Sequence, residues 1–305
     1  MRVGLFGATG FVGGYLVEAL VEAGHEPSVL VRSGSENKLR SSDRCRVITG
    51  DLGNEAAIEA VLEGCDAAIF NVGLLREFPR RGITFEDTHY RAAARVIDAA
   101  KEAGVEQLLL MSANGVRRPG TPYQETKLDA EDYLRDSGLG FTIFRPSVIF
   151  GDPKGKSEIA TQLFREMVRP PVPAIGFHTG MSAAKGPIMM SPVHVRDVAD
   201  AFLRSLGNEA MLGKCLEIGG PDNLSWTEML RRISQAVDKR KLIVPMPLTL
   251  MKIAATLFDW LPFFPATRDQ LTMLAQGNTA GSDELEALIG RPAKSFTAEN
   301  LGYLD

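Results

Sequence analysis

The chain of 305 residues holds only three cysteines, Cys45, Cys65 and Cys215, set far apart. An odd number at such spacing fits neither a disulfide framework nor a metal knuckle. Its four histidines show no ligand spacing, so no metal site is expected. No basic run stands out and the net charge is −4, which gives no footprint for nucleic acid. Internal repeats and low-complexity tracts are also missing. The chain opens "MRVGLFG", without the charged and apolar regions of a signal peptide, so a reduced, cytoplasmic setting is expected. What is present is ordinary soluble composition, 45% apolar and 24% charged. The length suits one large domain or two interlocked ones.

The first 150 residues alternate short apolar or β-branched runs with helical patterns. "RVGLF", "PSVLVR", "RVITG", "AAIFNVG", "QLLLMS" and "FTIFRP" read as strands, with helices near 11–23, 54–63, 86–103 and 121–137. Continuous apolar runs mark strands covered on both faces, and the alternation implies right-handed βαβ units. The expected fold is therefore α/β, a doubly wound parallel sheet. After Gly151 the alternation stops. Residues 169–192, rich in Pro, Gly and Met, read as a loop over a cleft. "CLEIGG" reads as a strand near 215–219 that returns to the sheet, and residues 151–305 as a smaller, mainly helical substrate lobe.

"GLFGATGFVGGYLVEAL" follows the first strand and opens the first helix. Gly7, Gly10 and Gly13 make G-x-x-G-x-x-G, a variant of the dinucleotide fingerprint. The glycines permit a tight turn, close approach to a pyrophosphate and close helix–strand packing. The helix N-terminus then offers N–H groups and a positive dipole end to phosphate. Residues 1–150 are accordingly expected to be an NAD(P)-binding Rossmann domain. An acid about 20 residues beyond the glycines would select NAD, but Arg32 and Ser33 stand there. A guanidinium suits a 2′-phosphate, which favours NADP over NAD. Asp51, after the third strand, is placed to meet the adenine amino group or to cap the next helix.

"GTPYQETKLDAEDYL" brings Tyr123 and Lys127 onto one helix face at i and i+4. Thr121 and Gln124 can form a capping box, with Pro122 at the first helical position. A free phenol titrates near ~10, so acid–base work at neutral pH needs a fall of roughly 3 units, about 4 kcal/mol. An ammonium ~5 Å away at an effective dielectric of ~20 contributes about 3 kcal/mol before desolvation is subtracted. The first-turn position of Tyr123 also favours phenolate through the helix dipole.

"GATGFVG", "GDL", "NVG", "MSANG", "YQETK", "RPSVIFG" and "SPVHVRDVADAF" occur in the order found in the short-chain dehydrogenase/reductase superfamily. The chain resembles its extended or atypical branch, which includes epimerase/dehydratase-like proteins. "VGLLRE…FEDTHYRAAARVIDAAKEAGV" and "FPATRDQLTML" are similar to the nucleotide-binding accessory subunit of mitochondrial complex I and its bacterial homologues. The resemblance implies that Tyr123 exchanges a proton with a substrate carbonyl or alcohol. It implies that Lys127 binds the nicotinamide ribose and assists the tyrosine, and that Ser112 holds the substrate oxygen. It further implies cofactor contacts from Thr9, Phe11 and Val12 beside the three glycines, from Asp51 and Leu52, from Val72 and Gly73, and from Pro146 and Val148. The acidic residues that dehydratases carry near the serine are replaced by the basic "SANGVRRPG", which argues against sugar-nucleotide dehydration.

The expected function is an NAD(P)(H)-dependent oxidoreductase of a small carbonyl or alcohol, with apolar and quinone-related compounds as candidates. The alternative is a nucleotide-binding structural or assembly protein without turnover. Residues 248–264, "LTLMKIAATLFDWLPFF", have a narrow polar face and a wide apolar one. They read as a helix packed into the smaller lobe, an apolar lid, or a contact for lipid or protein. Pro245, Pro247, Lys252 and Asp259 argue against a transmembrane span.

Overall fold

The computed structural model describes residues 1–180, 185–258 and 267–304. Contacts divide the chain into two units. The first comprises Met1–Pro146 with Arg196–Glu217, and the second Ser147–Val195 with Ile218–Asp305.

The first unit is built on strands β1 (Arg2–Phe6), β2 (Glu26–Val31), β3 (Arg46–Thr49), β4 (Ala67–Phe70), β5 (Gln107–Met111) and β6 (Gly140–Pro146). Between them run helices α1 (Phe11–Glu22), α2 (Glu55–Leu62), α3 (Ala92–Glu102) and α4 (Pro122–Asp136). A further helix, α5 (Val195–Ser205), precedes β7 (Lys214–Ile218). The sheet order is β7-β6-β5-β4-β1-β2-β3, and β1 to β6 are mutually parallel. From β1 the chain winds outward through β2 and β3, then returns to β4 and winds the other way. The order thus reverses between β1 and β4, the position where doubly wound sheets bind ligands beyond the strand C-termini. This is a parallel Rossmann sheet, and the second unit carries the smaller, mainly helical lobe expected after it.

β4 and β5 are buried at every position, as their unbroken apolar runs require. Ile58, Val61 and Leu62 of α2 and Val96 and Ile97 of α3 form one core with Phe6, Phe70, Leu108 and Leu110. Phe202 of α5 packs on Phe144 of β6 with ring centroids 4.3 Å apart. "CLEIGG" enters the sheet as β7, beside β6.

Two readings change. The pattern over 86–103 is not one α-helix, because Glu86–Arg91 winds as a π-helical turn before α3 begins. Residues 169–192 are not only loop: Ala174–His178 is a strand, paired in parallel with Ile243–Pro247. Gly176 disguised it, but that glycine belongs there because a Cβ would meet Thr227 Oγ1 at 2.7 Å. Helices Ile159–Leu163, Trp226–Ala236, Leu248–Phe258, Arg268–Gln276 and Asp283–Ile289 belong to the same unit. Of the apolar stretch 248–264, residues 259–264 lie outside the described residues. Among the described residues, no helix is long and apolar enough to cross a membrane.

Candidate active site

The loop between β1 and α1 meets the chain leaving β4 at the reversal point. Gly7 has φ +97°, and a Cβ there would meet the Asn71 main-chain oxygen at 2.4 Å. At Gly13 a Cβ would lie 2.0 Å from the Gly7 oxygen, so only glycine lets α1 approach its strand this closely. Gly10 is the N-cap of α1 and has no side chain with which to cap it. The first-turn N–H groups have no acceptor within the helix, which suits them to an anion. Thr9, Phe11 and Val12 line this turn half-buried.

α4 starts as its sequence dictates. The Gln124 main-chain N–H donates to Thr121 Oγ1, Gln124 Oε1 accepts from the Thr121 N–H, and Pro122 takes the first helical position. One turn in, Lys127 is buried, and its Nζ donates to the main-chain oxygens of Val72 and Met111, both at 3.0 Å. The lysine thus ties α4 to the ends of β4 and β5. An ammonium has three N–H groups, so a third remains to reach a ligand. A Cβ on Gly73 would come within 3.9 Å of Nζ, so this glycine keeps the approach open. Burial pushes the Lys127 ammonium down to about 8 against an upward pull from Glu131, leaving it mostly protonated at neutral pH.

Tyr123 stands on the same helix, edge-on to two rings. Its centroid lies 5.7 Å from Phe85 and 5.2 Å from His89, and Phe85 and His89 stack on each other at 5.2 Å. Sequence reasoning expected Lys127 and the helix dipole to lower the phenol. Burial instead pushes it up to about 12. Desolvation wins here, with two N–H groups of Lys127 directed at main-chain oxygens. As it stands, Tyr123 is a neutral O–H donor rather than a base.

His89 was not singled out from the sequence. It lies in the π-helical turn, 1% exposed. Its Nε2 accepts the Leu74 N–H at 3.0 Å, so Nδ1 carries the proton and donates to Thr126 Oγ1 at 3.2 Å. Thr126 donates onward to the Pro122 oxygen at 2.8 Å. His89 therefore fixes the loop after Gly73 against the helix that bears Tyr123 and Lys127. Burial first, and the Lys127 charge second, push its imidazole down to about 2. A π-helical turn inside a helical pattern leaves no clear mark in sequence. A polar ring on the inward face was the only available hint.

Ser112 closes β5 and is buried. Its Oγ donates to Glu131 Oε1 at 2.5 Å. Glu131 also accepts Arg145 Nε at 2.9 Å, Arg145 Nη2 at 2.7 Å and Arg135 Nη2 at 2.8 Å. These donors outweigh its burial and hold the carboxyl below the usual range, so it is ionised. A hydroxyl has one proton to give. While Ser112 gives it to Glu131, its oxygen can accept from a substrate hydroxyl but cannot donate to a carbonyl.

A family model described as NAD(P)H-binding matches residues 7–170. The chain belongs to this NAD(P)H-binding family. In sequence it is similar to accessory subunits of mitochondrial complex I, and in fold to UDP-glucuronic acid 4-epimerase from Bacillus cereus, with a TM-score of 0.73 at 15% identity. It is 29% identical over 260 residues to a ceramide reductase from Caulobacter vibrioides, covering 84% of this chain and 77% of that protein. It is 28% identical over 298 residues to the mitochondrial NADH dehydrogenase [ubiquinone] 1 alpha subcomplex subunit 9 of Arabidopsis thaliana, covering 92% of this chain and 70% of that protein. In fold it is similar to an NADPH-dependent quinone oxidoreductase from Escherichia coli complexed with NADPH. The TM-score is 0.75 at 20% identity, covering 100% of this chain and 99% of that one.

The remaining residues can be set against an NAD(P)H-binding site. The glycine turn, which backbone contacts at Gly7 and Gly13 hold tight against the start of α1, fits a pyrophosphate. Arg32 follows β2 directly and is exposed. Asp51 Oδ1 accepts the Gly53 N–H at 2.8 Å, while the cap of α2 is Asn54, so Asp51 does not cap the helix. Leu52 packs on the core, and its oxygen accepts Arg95 Nε at 2.7 Å. Pro146 ends β6 and accepts the Asn114 N–H at 2.9 Å. Val148 belongs to the second unit and packs against that unit's core.

Proposed function

We propose that the chain is an NADP(H)-dependent oxidoreductase acting on a carbonyl or alcohol of a small apolar compound. The observation that carries this reading is the placement of Lys127 one turn from Tyr123. Its Nζ joins the Val72 and Met111 oxygens at the ends of β4 and β5. A nicotinamide bound there supplies or takes the hydride. Gly7, Gly10 and Gly13, with the N–H groups of Phe11 and Val12, hold the phosphates, and Arg32 takes the 2′-phosphate. Asp51 and Leu52 lie on the adenine side, and Val72, Gly73, Pro146 and Val148 on the nicotinamide side. Lys127 gives its third N–H to the ribose. Tyr123, a neutral phenol, donates a proton to the carbonyl oxygen. Ser112 receives an N–H or O–H from the substrate, since its own O–H is hydrogen-bonded to Glu131. Similarity to a ceramide reductase and to a subunit of a ubiquinone-linked dehydrogenase supports an apolar, quinone-related or lipid-like substrate.

NADPH consumption should be followed across a homologous series of apolar ketones and quinones. Tyr123→Phe should leave NADPH affinity near wild type while turnover falls ~100-fold. Unchanged turnover in Tyr123→Phe would place the acid elsewhere. A second reading, a nucleotide-binding structural protein, is favoured by the raised phenol and by the commitment of Ser112 to Glu131. Tight NADPH binding with no turnover across the series would select it.

A further inference from the structure

In the second unit, exposed apolar side chains stand just before the strand Ala174–His178, at the start of the strand Ile243–Pro247 and on the helix Leu248–Phe258. Leu242 is 68% exposed, Ile253 61%, Val172 60% and Leu250 58%, and Val244 is also exposed. Single exposed apolar residues are ordinary, but a contiguous group marks an interaction surface. These positions are contiguous. The Leu242 oxygen accepts the Ala174 N–H at 2.9 Å, which sets Leu242 beside the segment holding Val172, and Val244 pairs with Ile175. The helix begins at the residue after the strand, and Leu250 and Ile253 share one of its faces at i and i+3.

Cations collect at the same edge. Arg169, Lys239 and Arg240 are exposed, and Lys241 Nζ donates to the Pro170 oxygen. Burial, and then the neighbouring Lys239, push the Lys241 ammonium down, so like charges are held close together. They collect in a chain whose net charge is −4, with Asp238 beside them in sequence.

We propose that this face docks on an anionic lipid bilayer. Its apolar side chains enter the acyl boundary, and its flanking lysines and arginines reach back to headgroup phosphates. The strand edge disfavours the main alternative, pairing with a strand of another protein or of a second copy. Pro245 and Pro247 lie within that strand and have no N–H to give to a ladder. This proposal stands apart from the catalytic reading, because docking can be measured without turnover.

The full-length chain should float with vesicles of phosphatidylcholine and phosphatidylglycerol, but weakly with phosphatidylcholine alone. Added salt should weaken the association. A surface cation contributes roughly a fivefold factor, so Lys239→Glu combined with Arg240→Glu should weaken partitioning at least about 25-fold. Val172→Ser combined with Leu242→Ser should also release the protein, with melting temperature and NADPH affinity unchanged because both side chains are exposed. Equal flotation with both vesicle types would overturn the proposal, as would flotation indifferent to both variants. So would self-association in sedimentation that the serine variants abolish, which would assign the face to a second copy.

Discussion

Ser112 donates its hydroxyl proton to Glu131 at 2.5 Å, and Glu131 is one turn beyond Lys127 on α4 with none of its surface exposed. The residue that the family resemblance assigns to substrate is thus anchored to a buried carboxylate that two partly exposed arginines, Arg145 and Arg135, neutralise. Ser112→Ala should cost about 1 kcal/mol in stability and less than about tenfold in carbonyl reduction, because the carboxylate keeps both arginines. Glu131→Gln should cost on the order of 3 kcal/mol, since it leaves the Arg145 guanidinium short of its counter-charge. Denaturant unfolding and steady-state kinetics measure the two effects. A 100-fold loss of turnover in Ser112→Ala, with stability unchanged, would return the serine to the substrate.

Cofactor choice turns on Arg32. NADPH should bind at least about tenfold more tightly than NADH, since a charge-assisted hydrogen bond is worth roughly 1.5–3 kcal/mol. Arg32→Ala should remove most of that preference while leaving NADH affinity in place. Calorimetry with both cofactors decides it, and equal affinities in the wild type would end the assignment of Arg32 to the 2′-phosphate.

The glycine loop allows a paired test. Gly13→Ala would place a Cβ 2.0 Å from the Gly7 oxygen, so the loop must shift and NADPH binding should be lost. Gly24 also has a positive φ, +78°, but a Cβ there meets nothing within 4 Å. Gly24→Ala should therefore cost only about 1 kcal/mol of backbone strain, with cofactor affinity unchanged. If both variants bind NADPH normally, the cradle lies elsewhere.

His89 should make the protein sensitive to mild acid. Its imidazole titrates at 6.5 in the unfolded chain and is pushed down to about 2 in the fold. Below 6.5 the unfolded state therefore binds more protons, and stability falls as pH drops, by up to about 1.4 kcal/mol per pH unit. The loss begins above the range in which carboxylates titrate. His89→Asn should flatten this part of the profile, read from urea unfolding at neutral pH and about one unit below 6.5. Identical slopes for the two proteins would mean that the imidazole is protonated in the folded state.

What could be read directly from the sequence was local. Apolar runs alternating with helical periods specify parallel βαβ units, because strand and helix patterns repeat within a few residues. Gly7, Gly10 and Gly13 mark the turn after β1, and Thr121, Pro122 and Gln124 mark the start of α4, because each set acts on neighbouring backbone groups. The spacing of Tyr123 and Lys127 likewise fixes their shared helix face. Their hydrogen-bond partners depend on which elements the sheet brings together, and no spacing encodes that. Lys127 finds the ends of β4 and β5 because the strand order places them side by side. Ser112 finds Glu131 because α4 packs on β6, the neighbour of β5 in the sheet. His89 turns inward because Glu86–Arg91 winds as a π turn. Tertiary structure also reversed the expected shift of Tyr123, since desolvation depends on everything packed around the phenol and outweighs a charge one turn away.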